Sequence, residues 1–169
     1  MANRGYTEKD YTITQIAYLA GIIDGEGSIY IGNFSSNPKT GAKYYQTNME
    51  ITNCDTKLMD WLFNTFGGRI YKYTEKQTPK NHRCAYYRWI VTGNCLTHLC
   101  TLLLPYLIVK RRQCEIMIQM RATYSGKGNG PSTKGKQGIQ GNSPELLELR
   151  QQLMDEMQSL HIRNYSNKH

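Results

Sequence analysis

The stretch Tyr18-Leu19-Ala20-Gly21-Ile22-Ile23-Asp24-Gly25-Glu26-Gly27-Ser28-Ile29 decides the reading of this chain. It closes a segment, residues 12–24, whose apolar spacing is helical. Ile16, Ala20 and Ile23 fall on one face, with Ala17, Gly21 and Asp24 on the next. Thr12 or Thr14 can cap its start, and Gly25 and Gly27 are expected to end it. Gly in a helix interior costs about 1 kcal/mol relative to Ala, so Ala20-Gly21 predicts a close approach by some other backbone. Glu26 stands where a helix C-terminus disfavours further negative charge. A carboxylate there is better explained as a ligand for a hard divalent cation than as a stabilising surface charge.

Working outward, residues 28–34 alternate as a strand, with Ile29 and Ile31 on one side and Ser28, Tyr30, Gly32 and Phe34 on the other. Residues 43–53 alternate again: Tyr45, Thr47, Met49 and Ile51 against Tyr44, Gln46, Asn48 and Glu50. An amphipathic helix is expected over 55–66, closed by Gly67-Gly68, then strands over 69–76 and 84–91. In the last strand Tyr87, Trp89 and Val91 compete with Tyr86, Arg88 and Ile90 for the inner face. Helices follow over 94–104 and 107–123. A Gly- and Lys-rich loop spans 125–142, and a helical stripe over 143–160 begins at Ser143-Pro144-Glu145. The whole reads as one domain, 1–169, with a 12–124 core. Its class is α+β: an αββαββα core whose four-stranded antiparallel, saddle-shaped sheet is covered by helices on one face, plus a C-terminal helix.

Composition narrows the partner. In 169 residues, 21 Lys+Arg face 13 Asp+Glu, a net charge of +8, so an anionic partner is expected. Nucleic acid, an anionic membrane surface and an acidic protein all satisfy charge alone. The cations are not gathered on one helix with an apolar face, which argues against a membrane surface. They alternate with tyrosines and amides, which suits phosphate contact with base-edge reading. No apolar run approaches a membrane span, and the N-terminus lacks the apolar core of a secretory signal. Five cysteines without a CxxC pair suggest reduced thiols in a reducing compartment rather than zinc. Residues 130–137 nearly spell a P-loop but end in Gln137, and no apolar strand precedes them. The four histidines have no serine or carboxylate at a telling spacing.

Tyr18 to Gly32 resembles the signature of the LAGLIDADG homing endonucleases. The Glu50-Ile51-Thr52-Asn53 stretch, followed by a helix and Gly67-Gly68, agrees with that pattern, and Leu104 to Gln113 resembles the family's PYLxxKxxQ segment. The resemblance covers roughly residues 14–122. It implies paired motif helices at a dimer interface, with Ala17, Ala20, Gly21 and Asp24 at or near the crossing. It implies that Glu26 and the carbonyl of Gly25 hold Mg²⁺, with Mn²⁺ or Ca²⁺ able to substitute. Glu adds one methylene to the Asp found in many members. Lys110 matches a basic residue near the scissile phosphate, Asn53 a water-ordering amide, and Lys57 a further basic group.

One motif in a chain without internal repeat implies a homodimer on a roughly palindromic double-stranded DNA site. Cleavage across the minor groove would leave short 3′ overhangs. Base reading would fall to Ser28, Tyr30, Gly32 and Phe34, to Tyr44, Gln46, Asn48 and Glu50, and to Lys72, Thr74, Lys76 and Arg88. An RNA-splicing maturase or a cleavage-inactive DNA-binding protein is the alternative on the same scaffold. Such proteins are encoded in introns of organelles, archaea, bacteria and phage, so no compartment follows.

Overall fold

The computed structural model describes residues 10–36, 43–73, 85–124 and 143–162. The expected 125–142 loop and the end of the 69–76 strand lie outside them. The order is α1 (Ile13–Glu26), β1 (Gly27–Ser36), β2 (Lys43–Asn53), α2 (Thr56–Phe66), β3 (Arg69–Tyr73), β4 (Tyr86–Val91), α3 (Gly93–Leu103), α4 (Arg111–Ala122) and α5 (Pro144–Ile162). The strands form one antiparallel sheet in the order β1-β2-β4-β3. The α+β expectation therefore holds.

Local chemistry sets the boundaries. Thr12 and Gln15 form a reciprocal capping box at the start of α1, with bonds of 3.2 and 3.0 Å. Asp55 caps α2 through Oδ1, which accepts from the N–H groups of Lys57 (2.7 Å) and Leu58 (3.2 Å). Gly67 and Gly68 both take positive φ between α2 and β3. A Cβ on Gly68 would lie 2.7 Å from the Ile90 carbonyl oxygen, so the turn needs glycine for both reasons.

Three helix boundaries differ from expectation by two residues or more. α1 runs on through Gly25 to Glu26, because helical hydrogen bonding ends only where the extended Gly27 donates its N–H to the Ile22 and Ile23 carbonyls. The fourth helix begins at Arg111 rather than 107, after a turn that follows Pro105. α5 extends two residues past the expected end.

The core lies on one side of the sheet. Ile29, Ile31, Met49, Ile51, Trp89 and Val91 are buried there against α1, α2, α3, α4 and α5. Trp89 resolves the ambiguity in β4: it pairs with Ile51 and Ile70 and donates from Nε1 to the Gly67 carbonyl at 2.8 Å. Arg88 and its even-numbered neighbours therefore take the other, open face.

α1 supplies Ile16, Leu19, Ala20 and Ile23 to this core, so Ala20 is spent inside its own chain and not at an outer crossing. What α1 leaves outward is Ile13, Thr14, Ala17, Tyr18 and Gly21, with Gly25 and Glu26 at its end. A Cβ on Gly21 would meet nothing within 4 Å. The chain itself does not require glycine at that position.

Candidate active site and nucleic-acid interface

The site gathers where α1 meets β1. Glu26 ends α1 and is exposed, and its Oε2 accepts from Asn53 Nδ2 at 2.8 Å. Asn53 ends β2, and its own Oδ1 accepts from the Asp55 N–H at 2.9 Å. That turn fixes the amide's orientation, and among the described residues its second Nδ2 proton has no hydrogen-bond acceptor. The two residues stand 27 positions apart, and the β1–β2 pairing brings them together, with Gly27 opposite Ile51.

Lys110 reaches the same end of α1. Its Nζ donates to the Asp24 carbonyl at 2.6 Å, two residues before Glu26. The Asp24 carboxylate in turn accepts from the N–H groups of Ile108 (2.8 Å) and Val109 (3.2 Å) on Oδ2, and of Lys110 (2.9 Å) on Oδ1. Burial raises the Asp24 pKa, but those three N–H groups and the Lys110 charge outweigh it and hold the carboxyl below its ordinary value. Burial lowers the Lys110 pKa, and the Asp24 charge only partly restores it. Asp24 was expected at a helix end or interface. It stands at the helix end, with its carboxylate spent on the 108–110 segment. The sequence carried no local signal for that link, which joins positions 84 to 86 residues apart.

The donors here suit a hard divalent cation. One carboxylate oxygen of Glu26 and the terminal carbonyl of Gly25 are oxygen ligands of the kind Mg²⁺ takes. Among the described residues no group of three or more His, Cys, Asp or Glu side chains converges. The remaining ligands of such an ion would come from water, phosphate or another chain. Lys57 lies in the first turn of α2, exposed, beside an open cavity of about 610 Å³ lined also by Thr14, Gln15, Tyr18, Asp55 and Trp61.

The sheet's open face carries the polar residues. On β1 and β2, Ser28 pairs with Glu50, Tyr30 with Asn48 and Gly32 with Gln46. Asn48 donates to the Tyr30 hydroxyl at 3.0 Å and is buried beneath it. Arg88 on β4 lies 3.9 Å from Glu50 and stands over the Tyr73 ring at 4.7 Å, while Tyr73 stacks on Tyr86 at 4.8 Å.

Two expectations change. Lys72 pairs with Tyr87 and shares the side of Ile70 and Trp89, so it is not on the open face; Arg69, Tyr71 and Tyr73 are. The single aliphatic residue of β3, Ile70, sets that phase and was the available signal. The β1–β2 register shifts between Asn33 and Ser35, so Phe34 falls in a bulge and simple alternation does not place it. The side chains of Phe34 and Tyr44, and all of Thr74 and Lys76, lie outside the described residues.

Comparison with solved structures gives the same architecture. The homing endonuclease I-CvuI, in complex with its target in the presence of Ca, matches with a TM-score of 0.64 at 20% identity, over 87% of this chain and 82% of that one. The archaeal intron-encoded homing endonuclease I-Vdi141I, complexed with DNA, gives 0.63 at 20% identity over 87% and 84%. I-SmaMI bound to cleaved DNA gives 0.62 at 19% identity, over 92% of this chain but 48% of that one. No curated protein sequence matches the chain. The family model described as LAGLIDADG endonuclease matches residues 19–117, which takes in Gly25, Glu26, Asn53 and Lys110 together, and the chain belongs to that family.

Proposed function

We propose that this protein is a site-specific DNA homing endonuclease that acts as a homodimer. It makes a divalent-metal-dependent double-strand break in a long, roughly palindromic site. The observation that carries the reading is the meeting of Glu26, Asn53 and Lys110 at one end of α1, beside an open, polar sheet face. The solved relatives I-CvuI and I-Vdi141I are DNA complexes.

Each residue has a derived task. Glu26 supplies a carboxylate whose orientation Asn53 fixes through Oε2. With the Gly25 carbonyl it would hold Mg²⁺, for which Mn²⁺ or Ca²⁺ can substitute; the ion supplies charge stabilisation to the phosphate when bound. The I-CvuI complexes, one in the presence of Ca and one in the presence of Mg with its DNA not cleaved, support divalent-cation use. The free amide proton of Asn53 orders the attacking water. Lys110 keeps two ammonium protons for a phosphate oxygen while the third holds Asp24. Water attacks phosphorus in line and the 3′ oxygen leaves, on both strands, giving short 3′ overhangs. Ser28, Tyr30, Gly32, Gln46, Glu50 and Arg88, with Arg69 and Tyr71, face the bases and phosphates.

The homodimer rests on the outward stripe of α1. Gly21 sits mid-helix with open space above it, at a site where Ala costs less, and Ile13 and Tyr18 flank it as exposed apolar side chains. A second copy of the same helix accounts for all three. Two Glu26 carboxylates then approach across the two-fold axis, and divalent ions relieve their repulsion.

The test uses duplexes selected for binding from a randomised pool in Ca²⁺ and then challenged with Mg²⁺. The wild-type chain cuts both strands, and chelation stops it. Glu26→Gln retains affinity and loses cutting. Undiminished cutting by that variant removes Glu26 from the site. Binding without cutting by the wild type favours the maturase or cleavage-inactive reading instead. A stable monomer on duplex overturns the homodimer.

A further inference from the structure

We propose that Asp24 is a positioning residue for Lys110, a latch that sets the end of α1 and the start of α4 in register so that Glu26 and Lys110 face one phosphate. The proposal rests on the endonuclease reading above.

A helix start leaves its first N–H groups without intrahelical partners. In α4 the position that would cap them is Lys110, whose side chain has no acceptor, and no side-chain cap bond forms there. Asp24, from a different helix, instead holds the segment that leads into α4. Its two oxygens accept three consecutive N–H groups, those of Ile108, Val109 and Lys110. Lys110 returns the contact by donating Nζ to the Asp24 carbonyl. Backbone and side chain of one lysine thus grip the carboxylate and carbonyl of one aspartate.

A Ser or Asp within the segment itself would satisfy the N–H groups of 108–110 equally well. It would not tie α4 to α1. An acid in the last turn of α1 is disfavoured by that helix's dipole, whereas the N-terminal turn of α4 welcomes it. Among the described residues the carboxylate's hydrogen bonds go to 108–110, the segment that leads into α4, so the residue makes sense as a link between the two helices. The link matters because Glu26 lies two residues beyond Asp24 on the same helix. A displacement near 1 Å between reacting groups costs up to about 100-fold in rate.

Asp24→Asn keeps the shape but turns an amide NH₂ toward backbone donors. With a Ca²⁺-selected duplex, its single-turnover cleavage rate in Mg²⁺ falls about 10–100-fold. Its Kd in Ca²⁺ stays within about threefold. In a Lys110→Ala background the same substitution costs nothing further, because the latch acts through Lys110. Hydrogen exchange shows the amides of 108–110 losing protection while those of Met49 and Ile51 in β2 keep it.

The latch is refuted if 108–110 stay protected in Asp24→Asn. A rate loss that persists in the Lys110→Ala background, or that a weaker Kd fully explains, refutes the positioning role. So does a variant whose dimer weakens while its rate holds. If β2 protection also collapses, Asp24→Ser, which keeps an acceptor, is held to the same rate-against-Kd split. Full-rate cutting by Lys110→Ala, or no cutting by the wild type, overturns the catalytic part of the reading; the exchange experiment then decides the latch by itself.

Discussion

Gly21→Ala is expected to push two measurements in opposite directions. Within one chain the substitution is free of clash, since a Cβ at Gly21 meets no atom within 4 Å and the position is helical with negative φ. Ala is favoured over Gly in a helix interior by about 0.8–1.0 kcal/mol. For a chain of this size that raises the monomer's Tm by about 2–4 °C. If two copies of α1 cross at Gly21, the added methyl has nowhere to go. Overpacking of that kind costs about 1–3 kcal/mol. The dimer's dissociation constant then rises roughly 5–150-fold. Thermal melts at concentrations below dissociation report the first effect, and sedimentation equilibrium without DNA reports the second. A more stable monomer with an unchanged dimer places the crossing elsewhere. A less stable monomer contradicts the open space around Gly21 and with it the argument for a second chain.

Gly27→Ala should act the other way. A Cβ there would lie 2.7 Å from Ile23 Cα and 2.9 Å from its carbonyl oxygen, so backbone must shift. A loss of about 1–3 kcal/mol by urea denaturation is expected, and a neutral outcome refutes the tight α1–β1 junction. Arg69→Ala should lower the slope of log affinity against log salt by about one, as for a lost phosphate contact, with Lys72→Ala leaving it nearly unchanged. The reverse order would return Lys72 to the DNA face. Because the folded Asp24 pKa is depressed, its contribution is present above the ordinary carboxylate range and is lost as pH falls through the folded value. The stability gap between wild type and Asp24→Asn should therefore persist near pH 7 and close below about pH 4. A gap that widens in acid refutes the latch's charge.

What the sequence made legible was local. Alternation in 28–34 and 43–53 placed Ile29, Met49 and Ile51 inside, and of the two candidate caps Thr12 and Thr14 the structure uses Thr12. The family resemblance named Glu26, Asn53 and Lys110 as expected site residues, and the structure brings Glu26 to Asn53 and Lys110 to the same helix end. What stayed hidden depended on phase and on distance along the chain. In β3 a single aliphatic residue sets the phase, so Lys72 was placed on the wrong side. In β1 a bulge ended the alternation before Phe34. Spacing put Ala20 on the face of Ile16 and Ile23, which is the buried one; the family resemblance, which set Ala20 with Gly21 at a crossing, misplaced it. The Asp24 link crosses 86 positions, beyond any window of periodicity.

That span has a consequence for the living cell. A ribosome adding about 5–20 residues per second needs roughly 4–17 s to travel from Asp24 to Lys110. During that interval the nascent polypeptide exposes its glutamate without the lysine that completes the arrangement. On the endonuclease reading proposed above, cutting is thereby withheld until translation has passed Lys110, and fragments terminated upstream of it lack the proposed phosphate contact.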